Sequence, residues 1–351
     1  MSESLIRVNK ADLEDFIIRV FLAAGLEENQ ASIVAKHLVL ANMRGVDSHG
    51  VSRLDIYTKR LEIGITSRKT ELKAVRETDS SMLIDGESGL GIVLCTEGIR
   101  IAVEKAKKTG LAVVGIRNSS HCGMLGAYTM YAAQNDCIAI AAANASSSVA
   151  PWGGKEAYFG TNPFSYGVPA GKEKNIVFDM ATSVVAKGKI RMALVNNQKI
   201  PVGWAITKDG KPTTDPREAM DGLLLPVGGP KGYGLNFFVE VLSGLLSGAA
   251  FGPYIRNLYK DLDKSQDMGQ FLFVMRADLF VPLEEFKKRM DQMIGEIRQI
   301  SLAEGFDRIY LPGEIEQEKA EERERNGIPL TPETINELKA VGNRYSVTAM
   351  F

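Results

Sequence analysis

Leu111-Ala-Val-Val-Gly-Ile-Arg-Asn-Ser-Ser-His-Cys-Gly123 is the stretch on which the fold turns. Its first six residues, Leu111–Ile116, are a continuous apolar run, as expected of a strand covered on both faces. A polar turn from Arg117 to Gly123 follows, then a helix through Tyr131 and Ala133. Further strands are expected at Cys137–Ala143, Phe164–Val168 and Ile176–Met180, with a strand-like run at Gly269–Met275. Strands alternating with helices indicate an α/β layer architecture.

On either side of this region the texture is helical. Asn9 is a helix cap, and Leu13, Phe16, Ile17, Val20 and Phe21 behind it share one face, with Gly25 as the stop. A second helix starts near Glu28, carries Ile33, Val34, His37, Leu38 and Leu40, and closes at Gly45. A third, Gly91–Lys108, puts Ile92, Cys95, Ile99, Ala102 and Ala106 on its inner face before Gly110. Downstream, Pro201–Pro216 reads as a loop or hairpin, and a helix near Gly232 carries Leu235, Phe238, Val239 and Leu242. Phe286, Met290, Met293, Ile294 and Ile297 mark a long amphipathic helix, and the densely charged Glu314–Arg325 reads as a solvated one. The pattern predicts nesting: a central α/β domain over 116–284, between terminal segments 1–115 and 285–351 that fold together as a mostly helical domain.

A chain of 351 residues suggests two domains, and its net charge of -1 offers no footprint for nucleic acid or an anionic membrane. The expected partner is a small molecule. Three cysteines, Cys95, Cys122 and Cys137, lack metal-ligand spacing and fit a reducing cytosol, so no metal site is expected. Met1-Ser-Glu-Ser-Leu-Ile-Arg7 has no apolar leader core, and no run is long and apolar enough to span a bilayer. A cytoplasmic protein is the expectation.

Chemistry concentrates in Arg44-Gly-Val-Asp-Ser-His-Gly-Val-Ser-Arg-Leu-Asp-Ile-Tyr57, after which the chain turns strand-like. Of the three histidines, His37 lies in an apolar helix and reads as a structural residue, whereas His49 and His121 lie in polar turns with a glycine close by. Histidine is the usual acid/base near neutral pH. Arg53, one turn beyond His49, could clamp an anion. No Gly-x-Gly-x-x-Gly fingerprint, Walker A sequence, Gly-x-Ser-x-Gly elbow or His-Glu-x-x-His pair occurs. Gly86-Glu-Ser-Gly-Leu-Gly91 has the wrong order of glycines and reads as a tight turn. Gly228-Gly-Pro-Lys-Gly-Tyr-Gly234, running into an apolar helix with Lys231 in it, is either a phosphate or carboxylate site or a plain turn. Asp179, at a strand end, is either a ribose acceptor or a helix cap.

These blocks in this order resemble the type 2 malate/L-lactate dehydrogenases. The resemblance is carried by residues 44–53, Asn-Ser-Ser-His (118–121), Ala-Pro-Trp-Gly-Gly (150–154), Phe-Gly-Thr-Asn-Pro (159–163), Phe-Asp-Met-Ala-Thr-Ser (178–183), Pro-Thr-Thr-Asp-Pro (212–216) and 228–234, and extends to Tyr310-Leu-Pro-Gly313. That group includes ureidoglycolate, sulfolactate and diketogulonate dehydrogenases and an imino-acid reductase. The resemblance implies a non-Rossmann, NAD(P)-binding mixed sheet nested in a second, mostly helical domain, and a homodimer with its active site near the subunit interface. It places Ser48, His49, Arg53, Tyr57 and His121 at active-site positions. It places Asn144, Ser146, Thr161, Asn162, Asp179, Met180, Ala181, Ser183, Lys231, Gly232, Pro312 and Gly313 at cofactor positions.

The expected reaction is reversible oxidation of a small 2-hydroxy acid to the 2-oxo acid. His49 or His121 would take the hydroxyl proton, with His49 favoured, Arg53 would hold the carboxylate by its planar fork, and Tyr57 would add a hydrogen bond. NAD is the expected cofactor, with NADP kept open by Lys187 and Lys189. Ureidoglycolate oxidation, reduction of a cyclic imine or diketo acid, and a non-catalytic nucleotide-binding protein are the alternatives.

Overall fold

Strand β1 (Ile6–Val8) leads into helices α1 (Lys10–Ala23) and α2 (Glu28–Met43) in the computed structural model, which describes residues 5–351. Met1–Ser4, the opening of the segment read as lacking a leader core, lie outside the described residues. Asn9 caps α1 by accepting the Ala11 N–H at 2.8 Å. Gly25, at φ +96°, ends it by letting the Leu26 N–H reach back to Phe21 O at 3.0 Å. Two single 3-10 turns, Asp47–His49 and Val51–Arg53, run into α3 (Leu54–Glu62). The chain therefore stays helical beyond Tyr57, where a strand was expected, because Leu54, Tyr57 and Leu61 bury one face at helical spacing.

The sheet elements follow: β2 (Lys73–Glu77), β3 (Ser81–Gly89), α4 (Gly91–Thr109), β4 (Leu111–Ser119), α5 (Gly126–Gln134), β5 (Cys137–Ala143), β6 (Phe164–Val168) and β7 (Ile176–Met180). Next come α6 (Lys187–Val195), β8 (Ala205–Ile206), α7 (Pro216–Asp221), β9 (Leu223–Leu224) and α8 (Pro230–Glu240), which continues through a π-helical turn, Val241–Leu245. The chain closes with β10 (Met268–Arg276), α9 (Leu283–Arg298), α10 (Glu314–Asn326), β11 (Ile328–Leu330) and α11 (Pro332–Arg344).

Seven strands form one mixed sheet in the order β2-β3-β4-β10-β5-β6-β7. Only β3 and β4 run parallel, joined by the crossover helix α4, and β10 lies antiparallel between β4 and β5. A strand from far downstream, antiparallel to both neighbours, thus occupies the centre, in contrast to the mostly parallel doubly wound dinucleotide fold. Ala139, Ala141 and Ala143 of β5 leave room for Leu272 and Val274 of β10 in the sheet core.

The terminal segments share a core of their own: Leu13, Phe16, Val34, Leu38 and Leu54 pack with Ile328, Ile335 and Leu338. The expected divisions at 116 and 284 fall inside regular elements. Residue 116 lies inside β4, and the earlier strands β2 and β3 belong to the same sheet. Residue 285 lies inside α9, whose buried Ile294 packs with Ala170 and Leu311 rather than in the terminal core. β4 also runs three residues beyond the apolar run, because Arg117 and Asn118 are held in line by bonds of 3.1 Å to Asp85.

Candidate active site

The turn carrying Ser48 and His49 makes few bonds of its own, so its shape is imposed from outside. Asn42, buried at the end of α2, accepts the Val51 N–H and donates to Asp47, each at 2.7 Å. Gly50 is required there, since a Cβ would fall 2.0 Å from Asn42 Oδ1. Arg323 of α10 pairs with Asp47 at 2.7 Å. The charged helix read from sequence as merely solvated therefore secures the turn with one side chain. Arg53 donates from Nε to Ser48 O at 2.7 Å and from its terminal nitrogen to the Tyr259 hydroxyl.

His49 and His121 come together, although 72 residues separate them. Their rings are stacked with centroids 5.4 Å apart and planes at 25°. Ser48 Oγ lies 3.0 Å from His49 Nδ1. The Tyr57 hydroxyl and the Gly123 N–H both meet Nδ1 of His121, at 2.6 and 3.2 Å. With a backbone donor at Nδ1, the neutral His121 ring carries its proton on Nε2. Burial, then the charge of Arg53, brings His49 down to about 4, and burial, Arg53, His49 and His37 hold His121 well below its ordinary value. Two imidazolium rings this close repel, so the pair holds at most one proton. Burial also raises Tyr57, which stays a neutral phenol.

A ledge begins where the His121 loop ends. Gly126, at the start of α5, donates its N–H to Asp179 Oδ2 at 2.7 Å. Loss of solvent pushes Asp179 up to about 6, opposed by that N–H bond and by Arg44. Arg44 also reaches Gly313 O at 3.4 Å, and Gly313, at φ +80°, packs so closely that a Cβ would lie 1.9 Å from Val177 O. At the other end, Val227 N–H bonds to Thr182 O at 2.9 Å, and Gly232 abuts Val227 O, leaving 1.7 Å for any Cβ. Asp179–Ser183 thus joins the Pro312–Gly313 turn to the start of α8, where Lys231 is exposed and the first-turn N–H groups have no helical partner. A cavity of about 310 Å³ opens beside Arg44, Pro312 and Gly313. A dinucleotide fits this run: an acidic residue, a close-packed glycine turn and a helix start with a lysine.

Several expected cofactor residues are placed otherwise. Asn144 is fully buried, with its amide committed to Ala250 O (2.8 Å), Glu240 (3.4 Å) and Gly269 N–H (2.9 Å). Asn162 is equally buried and binds Asn236 (2.9 Å), Glu240 (2.6 Å) and Ala145 N–H (3.0 Å). Both asparagines are framework, since neither exposes a donor to a ligand. Ser183 is buried with its hydroxyl on Val185 O at 2.9 Å, and Thr161 offers its carbonyl to Thr182. Ser146, half-buried, meets Asn257 at 3.5 Å, and Met180 and Ala181 line the ledge half-exposed.

Sequence reading missed residues that act across long separations. Tyr259 buttresses Arg53. The segment bearing it is clasped by buried Arg60, which donates to Leu258 O, Asp261 O and Lys264 O at 3.0–3.1 Å. Gln266 accepts the His121 N–H at 3.1 Å. His37 is structural as expected: its Nε2 accepts the Met124 N–H at 2.9 Å, and burial lowers it to about 3. None of these carried a local motif. Only the rarity of a fully buried arginine distinguishes Arg60, and burial is not written in the sequence.

Comparison with known proteins supplies the family. The malate/L-lactate dehydrogenase family profile matches residues 8–339. A malate dehydrogenase of Pyrococcus horikoshii is 39% identical, covering 100% of this chain and 98% of its own length. An NAD(+) ureidoglycolate dehydrogenase of Escherichia coli strain K12 is 36% identical over 90% of each. The solved sulfolactate dehydrogenase of Methanocaldococcus jannaschii superposes with a TM-score of 0.93 at 36% identity, covering 98% of both chains. The absence of a dinucleotide fingerprint therefore has an account: the chain belongs to the malate/L-lactate dehydrogenase family and is an oxidoreductase acting on a hydroxy acid.

Proposed function

We propose that the protein catalyses reversible hydride transfer between a small 2-hydroxy acid of the malate or lactate type and NAD, in the cleft where His49, His121, Arg53 and Tyr57 converge. That convergence, at the end of the Asp179–Ser183 ledge, is the observation that carries the reading. Oxidation removes a hydride from the α-carbon and a proton from its hydroxyl, leaving the 2-oxo acid. A bound nicotinamide supplies the two-electron acceptor. The proton passes to the His49–His121 pair, which accepts one and only one, while the second ring orients the oxygen. Tyr57 fixes the His121 ring, and Arg53 meets the substrate carboxylate with its planar fork.

The cofactor choice draws on the cavity beside Gly313. Two of its three cations already have carboxylate partners, Arg298 with Glu173 (2.7 Å) and Lys174 with Glu321, and its other acidic residues would repel an added phosphate. This supports NAD over NADP. Ureidoglycolate, the substrate named for the Escherichia coli relative, is the second reading. A homodimer is supported by Phe237, Phe238, Leu245 and Leu246, all more than half exposed along α8 and its continuation. A cytoplasmic setting is supported by three buried, unbridged thiols.

The test is single substitution of each histidine. His49→Ala and His121→Ala are both expected to lose turnover of 2-oxo acids while still binding NADH, read as nicotinamide fluorescence. Turnover preserved in both variants would remove the assignment.

A further inference from the structure

The Tyr259 hydroxyl accepts from Arg53 Nη1 and, among the described residues, has no acceptor for its own proton. A phenol can accept and donate at once, so one donor is left over. The ring stands beside the guanidinium, with Arg53 Cζ 5.4 Å from its centroid. Tyr259, Arg53 and Ser48 line one cavity of about 780 Å³, and Tyr259 is half-exposed, so the spare O–H opens onto that cavity.

Arg53 is constrained in a complementary way. Its Nε–H is spent on Ser48 O at 2.7 Å, which closes two-point pairing of a carboxylate across Nε and Nη2. Among the described residues Arg53 makes no ion pair, and Nη2 has no partner. What remains is the outer end of the fork, with the Tyr259 hydroxyl at its edge.

The hydroxyl is placed by a strap whose fixings lie outside the cavity. Asn257 Oδ1 accepts the N–H groups of Tyr259 and Lys260, at 2.9 and 3.1 Å. Leu258 is buried in the core built by the two ends of the chain, and the Arg60 clasp holds its carbonyl. Further along the same strap, buried Gln266 accepts the His121 N–H. One segment thus sets the Tyr259 hydroxyl and the His121 loop relative to each other.

Resting on the dehydrogenase reading above, we propose that Tyr259 is a substrate-binding residue, whose hydroxyl donates to the substrate carboxylate that the outer end of the Arg53 fork holds. Arg53 supplies the charge, and Tyr259 supplies a directed donor from a separate element. Donors on two side chains fix the plane of the carboxylate, and with it the reacting carbon relative to His121.

The experiment follows NADH and NADPH oxidation by the full-length protein with pyruvate, oxaloacetate and the 2-oxo form of ureidoglycolate. It compares the wild type, Tyr259→Phe, Arg53→Lys and the double variant. Tyr259→Phe keeps the ring and the main-chain bond to Asn257, so a native melting profile is expected. For the acid turned over best, it is expected to raise KM about tenfold or more, with kcat changed less than about threefold and NADH binding, read by nicotinamide fluorescence, unchanged. In the Arg53→Lys background the same substitution is expected to lower kcat/KM a further threefold or so, because the hydroxyl still meets the carboxylate. An unchanged KM in Tyr259→Phe overturns the proposal. No further loss in the double variant overturns it as well, since Tyr259 would then act only by steadying Arg53. Either result leaves the dehydrogenase reading intact, whereas no nicotinamide oxidation by the wild type with any of the acids overturns both.

Discussion

His37 offers a test of how the loop carrying His121 is held. Its ring is buried in the gap between α2 and α5, tilted against Tyr128 with centroids 5.3 Å apart, and its Nε2 accepts the Met124 N–H. That bond fixes the segment from His121 to Met124, including Gly123, whose N–H meets His121. The ring must stay neutral to accept it, and burial lowers its pKa from 6.5 to about 3. Because the folded value lies below the unfolded one, the unfolded chain takes up this proton first as pH falls. At pH 7 both states are neutral and nothing is lost. Below about 6.5 stability falls by roughly 1.4 kcal/mol per pH unit, until the folded ring itself titrates near 3. By pH 5 the loss attributable to His37 is about 2 kcal/mol, roughly a thirtyfold change in the folding equilibrium. His37→Gln keeps an acceptor near the Nε2 position but removes the titration. Urea unfolding followed by circular dichroism at pH 7 and pH 5, at one protein concentration, isolates the difference, since carboxylates common to both proteins cancel. The variant is expected to gain about 2 kcal/mol on the wild type between the two pH values. An equal gap at both would show that His37 does not resist protonation and would refute the account of how the loop is anchored.

Two further perturbations probe the clamp and the ledge. Arg53→Lys replaces a fork bound to Ser48 and Tyr259 with a point charge, and is expected to raise the KM for the 2-oxo acid at least tenfold, with a smaller change in kcat; an unchanged KM in steady-state assays would exclude Arg53 as the carboxylate partner. Gly313→Ala places a Cβ 1.9 Å from Val177 O at a φ of +80°, so about 1–3 kcal/mol of strain and a displaced ledge are expected, with NADH affinity falling; wild-type affinity by fluorescence titration would remove this turn from the cofactor site.

The helices and buried strands were legible because their signals are local. Asn9 and Gly25 bound α1 in the sequence as they do in space, and the apolar run at Leu111 gives β4 its core. β2 was not legible, because all five of its residues are exposed at the sheet edge and carry no apolar pattern. Within the site, residues whose chemistry sits in a short block, such as Ser48, His49 and Arg53, could be picked out. Asn144 and Asn162 show the limit of that procedure. Asn162 belongs to a matching block and Asn144 lies just before one, yet each faces Glu240, whose buried carboxylate draws three amide groups, from Asn144, Asn162 and Gly252. Loss of solvent raises the pKa of Glu240, and those bonds oppose the shift. A motif marks a neighbourhood and does not say which way a side chain faces.

Tyr57 matters beyond one hydrogen bond. Tyr57 is buried in the core built by the two ends of the chain, whereas Cys122 and Leu125, flanking the His121 loop, belong to the core of the sheet. The 2.6 Å contact between Tyr57 and His121 therefore spans two separately packed cores. Packed cores resist deformation, so the His49–His121 pair inherits its geometry from how they seat against each other. Arg53 belongs to the first core's side, the Asp179 ledge to the second's. In the proposed reaction, a hydroxy acid held by Arg53 and a nicotinamide held on the ledge would meet correctly only when that seating is correct. Tyr57 is where the fold converts packing into the position of the His121 ring, and no block of sequence around His49 or His121 contains that information alone.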